Sequence, residues 1–135
     1  MEFTLTEEQL AVKEAARDFA QQELLPGVIE RDRDMKFAKE QIAMMGELGF
    51  LGMMVDPQYN GGGMDTLSYV VAMEEISKVD NSASVCMSVN NSLVCWGLET
   101  YGNEEQKQKY LTRLATGEWI GAFCLSEPEA GSDAT

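Results

Sequence analysis

The sequence predicts an all-α domain, five or six helices in all, that closes on a single β-strand. Three observations carry that reading. Apolar residues recur at helical spacing through most of the chain, and Gly, Pro and Asn punctuate the joints between those segments. The final run "EWIGAFCLS" alternates instead and is rich in aromatic and aliphatic residues. The boundary follows: residues 1–118 form a helical N-terminal domain, and residues 119–135 form an opening strand with the loop behind it. A lone strand is not stable, and this one has no partner in the chain.

The helices can be justified in order. Thr6 and Gln9 have capping-box spacing, and Leu5 with Leu10 can form a hydrophobic staple. Behind them Val12, Ala15, Ala16, Phe19 and Ala20 make one apolar stripe, which Leu25-Pro26-Gly27 should break or kink. A second helix runs from about Lys36 to Leu48, with Phe37, Ile42, Met45 and Leu48 inward and Gly49 as its stop. The segment "FLGMMVDPQYNGGGMD" is the longest non-helical one, ended as an apolar run by Asp56-Pro57 and marked as loop by Gly61 to Gly63. Helical periodicity resumes near Asp65 or Thr66 and carries Tyr69, Val70, Met73 and Ile76. Asp80-Asn81-Ser82 then supplies a break and a fresh N-cap. The helix from Ser82 to about Glu99 is apolar around most of its circumference, so it should be the central and most buried one. Gly102-Asn103 ends it and caps the next, which has Glu104 and Glu105 at its positive end, a Glu105–Lys109 pair, and Gly117 as its stop.

Composition bounds the function classes. The chain has 135 residues, enough for one domain with a single core, and 44% of them are apolar. With 23 acidic and 10 basic residues the net charge is −13, so duplex DNA and anionic membranes are repelled on average, and neither is an expected partner. The acidity otherwise reads as a well-solvated surface. Cys86, Cys95 and Cys124 are widely spaced within apolar runs, which fits buried free thiols in a reducing compartment. Without any histidine, the chain holds no His-based catalytic group, and no zinc or other metal site is expected. The charged opening does not read as a signal peptide. The most apolar run, Ala83 to Leu98, is too short and too polar at Asn90 and Asn91 to span a membrane. A cytoplasmic location is expected.

The chemistry concentrates in "CLSEPEAGSDAT", residues 124–135. A strand delivers Ser126 to its carboxyl end, Glu127-Pro128 stops it, and Ala130-Gly131-Ser132 turns and exposes backbone N–H groups. A hydroxyl beside free amides can bind a phosphate or the polar edge of a heterocycle. On local composition alone an ordinary corner fits as well, with Ser126 and Ser132 satisfying nearby backbone groups. A second feature is the row Val85, Val89 and Leu93, which share one helix face and read either as core or as the wall of an apolar pocket.

"CLSEPEAGSD" resembles the flavin-binding motif of the acyl-CoA dehydrogenases. Four upstream segments agree in order and spacing. "LLPGVIERDRD" is similar to that family's Leu-x-Pro…Glu-x-Asp segment, and "GFLGMMVDPQYNGGGMD" to its Gly-x-x-Gly…Pro-x-x-Tyr-Gly-Gly loop, with Asn60 in place of the usual tyrosine. "VAMEEISKVDNSAS" and "YGNEEQKQKYL" match too, so the resemblance covers nearly the whole chain and lies nearest the short-chain, butyryl-CoA type.

The resemblance implies an N-terminal helical bundle domain of the acyl-CoA dehydrogenase fold, followed by the first strand of a truncated β-barrel domain. A C-terminal four-helix bundle would complete that fold. It implies FAD as cofactor, with Phe123, Cys124, Leu125, Ser126, Glu127, Pro128, Glu129, Ala130, Gly131 and Ser132 along the isoalloxazine ring. The backbone at Leu125 and Ser126 and the Ser126 hydroxyl would bond its pyrimidine edge. Ser132 would contact the acyl-CoA, and Glu129 stands where the family often has a small or amide residue. Val85, Val89 and Leu93, with Asn90 beside them, match the closed end of the acyl tunnel.

The implied reaction is one step of fatty acid β-oxidation: a proton leaves Cα and a hydride leaves Cβ of an acyl-CoA, giving a trans-2-enoyl-CoA. Electrons then pass to an electron-transfer flavoprotein. The base is a glutamate of the C-terminal domain, so this chain carries no catalytic residue, and full-length members are homotetramers. An acyl-CoA oxidase or flavin monooxygenase of the same fold shares the motif. A stand-alone acidic helical interaction module is the reading from another class.

Overall fold

A computed structural model describes residues 4–133. Helix α1 (Glu7–Phe19) opens with the capping box: the Gln9 N–H donates to Thr6 Oγ1 at 3.2 Å, and the Thr6 N–H donates to Gln9 Oε1 at 3.0 Å. It runs into a π-helical turn, Ala20–Leu24, before Gly27 in the left-handed region starts the short α2 (Val28–Arg33). Helix α3 (Lys39–Glu47) ends at Gly49, whose φ of 81° lets the chain reverse. After a single 3₁₀ turn, Pro57–Tyr59, Asp65 caps α4 (Thr66–Ser77) by accepting the Ser68 N–H at 2.6 Å. Asp80 caps α5 (Asn81–Ser88) in the same way, accepting from Ala83 at 3.0 Å. Helix α5 continues through a π-helical turn, Val89–Cys95, into α6 (Trp96–Tyr101). The last helix is built of α7 (Glu104–Gln106), a π-helical turn at Lys107–Leu111, and α8 (Thr112–Ala115). A second capping box, Asn103 with Gln106, starts it.

The core lies between α1, α3, α4 and α5, where Phe19, Leu24, Ile42, Met45, Leu51, Ile76 and Met87 are buried. Helix α1 packs along α4, and the pair is clamped by one acidic group. Glu75 is 4% exposed and takes charge-assisted hydrogen bonds from Arg17 at 3.1 Å and Lys78 at 3.0 Å. A smaller cluster of Val55, Tyr59, Cys95, Leu111 and Leu114 joins α6 to α8. The two layers touch backbone to backbone: a Cβ built on Gly52 would lie 2.5 Å from the Ala115 carbonyl oxygen, so only glycine fits.

Several sequence expectations are corrected. Among the described residues no strand forms; residues 120–126 carry no regular secondary structure and join no ladder, and only an isolated bridge, Glu127 to Ala130, follows them. A segment with no neighbouring strand among the described residues has nothing to complete a ladder with. Phe37 and Leu48 are exposed, because α3 spans only the residues between them and neither sits on its buried face. Val70 and Ala15 are also exposed. The Asn81 helix is buried on one side only, with Val85, Leu93 and Trp96 52%, 42% and 52% exposed on another. No Glu105–Lys109 pair forms; the Lys109 ammonium instead lies 5.0 Å from the centre of the Tyr110 ring. All three thiols are free, but Cys124 is exposed rather than buried. Ala134 and Thr135, the end of the site motif, lie outside the described residues.

Candidate functional site

The site is built on Asn90. It is fully buried in the π-helical turn after α5, and its amide reaches three separate elements. Nδ2 donates to the Leu51 carbonyl at 2.8 Å and the Leu114 carbonyl at 3.0 Å, while Oδ1 accepts the Gly121 N–H at 2.8 Å. Carbonyls only accept and the peptide N–H only donates, so the orientation of this amide is determined. Gly121 in turn presses on the helix: a Cβ there would come within 2.6 Å of Val94 Cγ1. A glycine inside an alternating pattern signals such a close approach, which the sequence reading passed over.

Two further contacts fix where the segment leaves the bundle. The Trp119 N–H donates to the Arg113 carbonyl at 3.2 Å, and the Arg113 guanidinium lies 4.5 Å from the Trp119 ring centre. Cys95 is buried in the cluster with Leu111 and Leu114, and burial above all, with Glu99 nearby, pushes its thiol up to about 12, so it stays protonated.

Beyond Gly121 the character changes. Residues 122–126 are exposed and outside regular secondary structure, and none of their backbone groups is hydrogen-bonded among the described residues. Phe123, Cys124, Leu125 and Ser126 therefore stand on a free backbone edge. Glu127, Pro128, Glu129 and Ala130 form a tight turn closed from both ends: the Glu127 N–H donates to the Ala130 carbonyl at 2.9 Å, and the Ala130 N–H donates back at 3.2 Å. Gly131 has open space where a side chain would be, and Ser132 is exposed beside it. Neither serine hydroxyl caps a local backbone group. A flat ligand with a polar edge would find here unpaired amides, a hydroxyl and two apolar side chains.

On the helix, Val85 and Leu93 face outward, Val89 is half-buried, and Asn90 points the opposite way into the core. The four candidate pocket residues thus divide into three that present an open apolar face and one committed to holding the fold.

Residues 6–118 match the family model described as "Acyl-CoA dehydrogenase, N-terminal domain". The chain belongs to the acyl-CoA dehydrogenase family. Among its relatives is the short-chain specific acyl-CoA dehydrogenase of Clostridium acetobutylicum, 44% identical over 133 residues, which covers 98% of this chain and 35% of the relative. The mitochondrial short-chain specific enzyme of Mus musculus is 44% identical over 130 residues, covering 96% of this chain and 32% of that one. Butyryl-CoA dehydrogenase from Megasphaera elsdenii superposes with a TM-score of 0.92 at 39% identity, over 99% of this chain and 36% of that chain. A chain in a structure described as the electron-transferring flavoprotein of Acidaminococcus fermentans superposes at 0.96 with 46% identity, over 99% of this chain and 35% of its own length. The chain therefore spans about a third of the acyl-CoA dehydrogenases it matches. Its fold is the helical N-terminal domain of that family.

Among the described residues no helix is long and apolar enough to cross a membrane, and no group of His, Cys, Asp and Glu could hold a metal ion.

Proposed function

We propose that the full-length protein is an FAD-dependent dehydrogenase of short-chain acyl-CoA thioesters such as butyryl-CoA, and that this chain supplies part of its flavin cradle and part of its acyl pocket. The observation that carries the reading is the unbonded, exposed edge at residues 122–126, ending in Ser126, within the segment that resembles the family's flavin motif. Its donor set fits FAD: successive free amides and a hydroxyl suit the polar edge of a flat heterocycle, and exposed Phe123 and Leu125 suit its faces.

In this reading the backbone of Leu125 and Ser126 and the Ser126 hydroxyl bind the pyrimidine edge. The Glu127–Ala130 turn carries the chain past the ring, so that Gly131 admits it closely and Ser132 meets the thioester substrate. Bound FAD supplies the acceptor for the hydride that leaves Cβ. The proton at Cα is taken by a base this chain does not contain. Val85, Val89 and Leu93 limit the depth of the acyl pocket, and Asn90 holds their helix in register with the flavin segment. A homotetramer and electron delivery to an electron-transfer flavoprotein complete the proposal.

The test is a full-length preparation. It should purify with the absorbance of bound FAD and convert butyryl-CoA to trans-2-enoyl-CoA, with electrons drawn off faster by an electron-transfer flavoprotein than by air. Absence of flavin, or of enoyl product, would overturn the reading; rapid reoxidation by air would make the protein an oxidase instead.

A further inference from the structure

Gly121 ties the exposed segment to the helix that carries Val85, Val89 and Leu93. Its N–H makes the only hydrogen bond of residues 120–126 among the described residues, the 2.8 Å bond to Asn90 Oδ1. Gly121 does not adopt a left-handed φ, so backbone conformation does not call for glycine here. The reason is space: a Cβ on Gly121 would lie 2.6 Å from Val94 Cγ1 and 2.8 Å from both Cβ and Cγ2 of Val94. Turning Val94 about χ1 would move its methyls but leave its Cβ where the helix backbone puts it. Val94 is half-buried and packed against the cluster of Val55, Cys95, Leu111 and Leu114, so the helix side of the contact cannot yield. Residues 122–126, exposed and unbonded, are the side that gives way.

We propose that Gly121 is a positioning residue, whose missing side chain sets how close residues 122–126, and with them the flavin ring, lie to the helix of Val85, Val89 and Leu93. The inference rests on the flavin and acyl-pocket roles of the proposed function. Val94 follows Leu93 in the π-helical turn, so one short contact fixes the gap between the flavin edge and the acyl wall. A side chain at position 121 would push the segment outward and draw the Gly121 N–H away from Asn90 Oδ1. The ring would follow the segment away from the acyl chain, where a misplacement of about 1 Å can cost on the order of 100-fold in rate.

The test compares full-length wild type with Gly121→Ala, Val94→Ala and the double variant. Gly121→Ala should retain FAD but lower kcat on butyryl-CoA roughly 10- to 100-fold, with KM changing less than kcat. The midpoint potential of the bound flavin should also move to more negative values, because amides drawn back from its polar edge stabilise the electron-rich reduced ring less. Val94→Ala removes both methyls and leaves only the 2.8 Å Cβ contact, so the double variant should recover part of kcat and part of the potential. Val94→Ala alone should raise neither. Wild-type kcat and potential in Gly121→Ala would overturn the proposal, as would losses that follow thermal stability alone and are not relieved by Val94→Ala. Should Gly121→Ala not fold, the double variant takes its place: kcat and potential displaced together support the proposal, and wild-type values in both overturn it. A wild type without flavin would overturn the proposed function itself, whereas a flavin-loaded, active wild type with an unaltered Gly121→Ala would overturn this inference alone.

Discussion

At the scale of single residues, three side chains hold most of the testable content. Ser126 is exposed with its hydroxyl unspent, so Ser126→Ala should leave stability unchanged. In the full-length protein it should weaken FAD retention by roughly 0.5–1.5 kcal/mol, the net worth of one hydrogen bond, read as flavin lost on dialysis. Wild-type flavin content and turnover would make it a corner residue. Asn90 is the opposite case. Asn90→Ala orphans the Leu51 carbonyl and the Gly121 N–H, leaves the Leu114 carbonyl with the Gly117 N–H alone, and should cost about 2–4 kcal/mol in a urea titration. Glu75 sets the acid limit. Hydrogen bonds from Arg17 and Lys78 hold its carboxyl down to about 2 against an ordinary 4.5. A group lowered in the folded state stabilises fully above its unfolded value and loses that contribution as pH falls from about 4.5 toward 2. Thermal unfolding followed across that window should therefore decline, and Glu75→Gln should flatten the decline. The same variant should cost about 1–2 kcal/mol at pH 7, a modest figure because Arg17 and Lys78 are about half exposed.

Helices and turns show what the amino-acid order could announce. The caps at Thr6, Asp65, Asp80 and Asn103 and the left-handed stops at Gly49 and Gly117 are local devices, and they are where the residue types point. The three π-helical turns are not legible in this way. Each shifts the phase of the apolar stripe, so a face projected on regular helical spacing drifts from the real one. The adjacent Asn90 and Asn91 are both buried in such a turn. The strand pattern of residues 118–126 is written in the sequence, but a ladder needs partners that these residues do not include. Likewise the motif at Ser126 could be read, whereas the orphaned Asn91 oxygen depends on which carbonyls tertiary packing brings near. The outward face of the α5–α6 helix gives the prediction at this scale. On the proposed function, Val89→Ala in the full-length protein should deepen the acyl pocket and move preference toward longer thioesters, each added methylene gaining up to about 0.8 kcal/mol. Ratios of kcat/KM across a chain-length series measure it, and an unchanged profile in a folded, flavin-loaded variant would place Val89 in the core.

For the whole molecule, the chain matches only about a third of the length of its relatives. On the proposed function, the chain purified alone should form no enoyl-CoA even with FAD added, since it would hold one edge of the cofactor and place no base for the α-proton. Product detected by absorbance or mass spectrometry would place the chemistry inside these residues. The Asn90 clamp also bears on how the molecule comes to be folded. Its three bonds to backbone groups join residues 39, 24 and 31 positions apart, so none of those three is available to a nascent helix on its own. Loop closure must be met before such contacts return anything, which puts them late among the events of folding. The exit of residues 121–126 is thereby tied to completion of the bundle: Gly121 acquires its anchor only once the helices around Asn90 have assembled, and a half-formed domain has no fixed edge to offer.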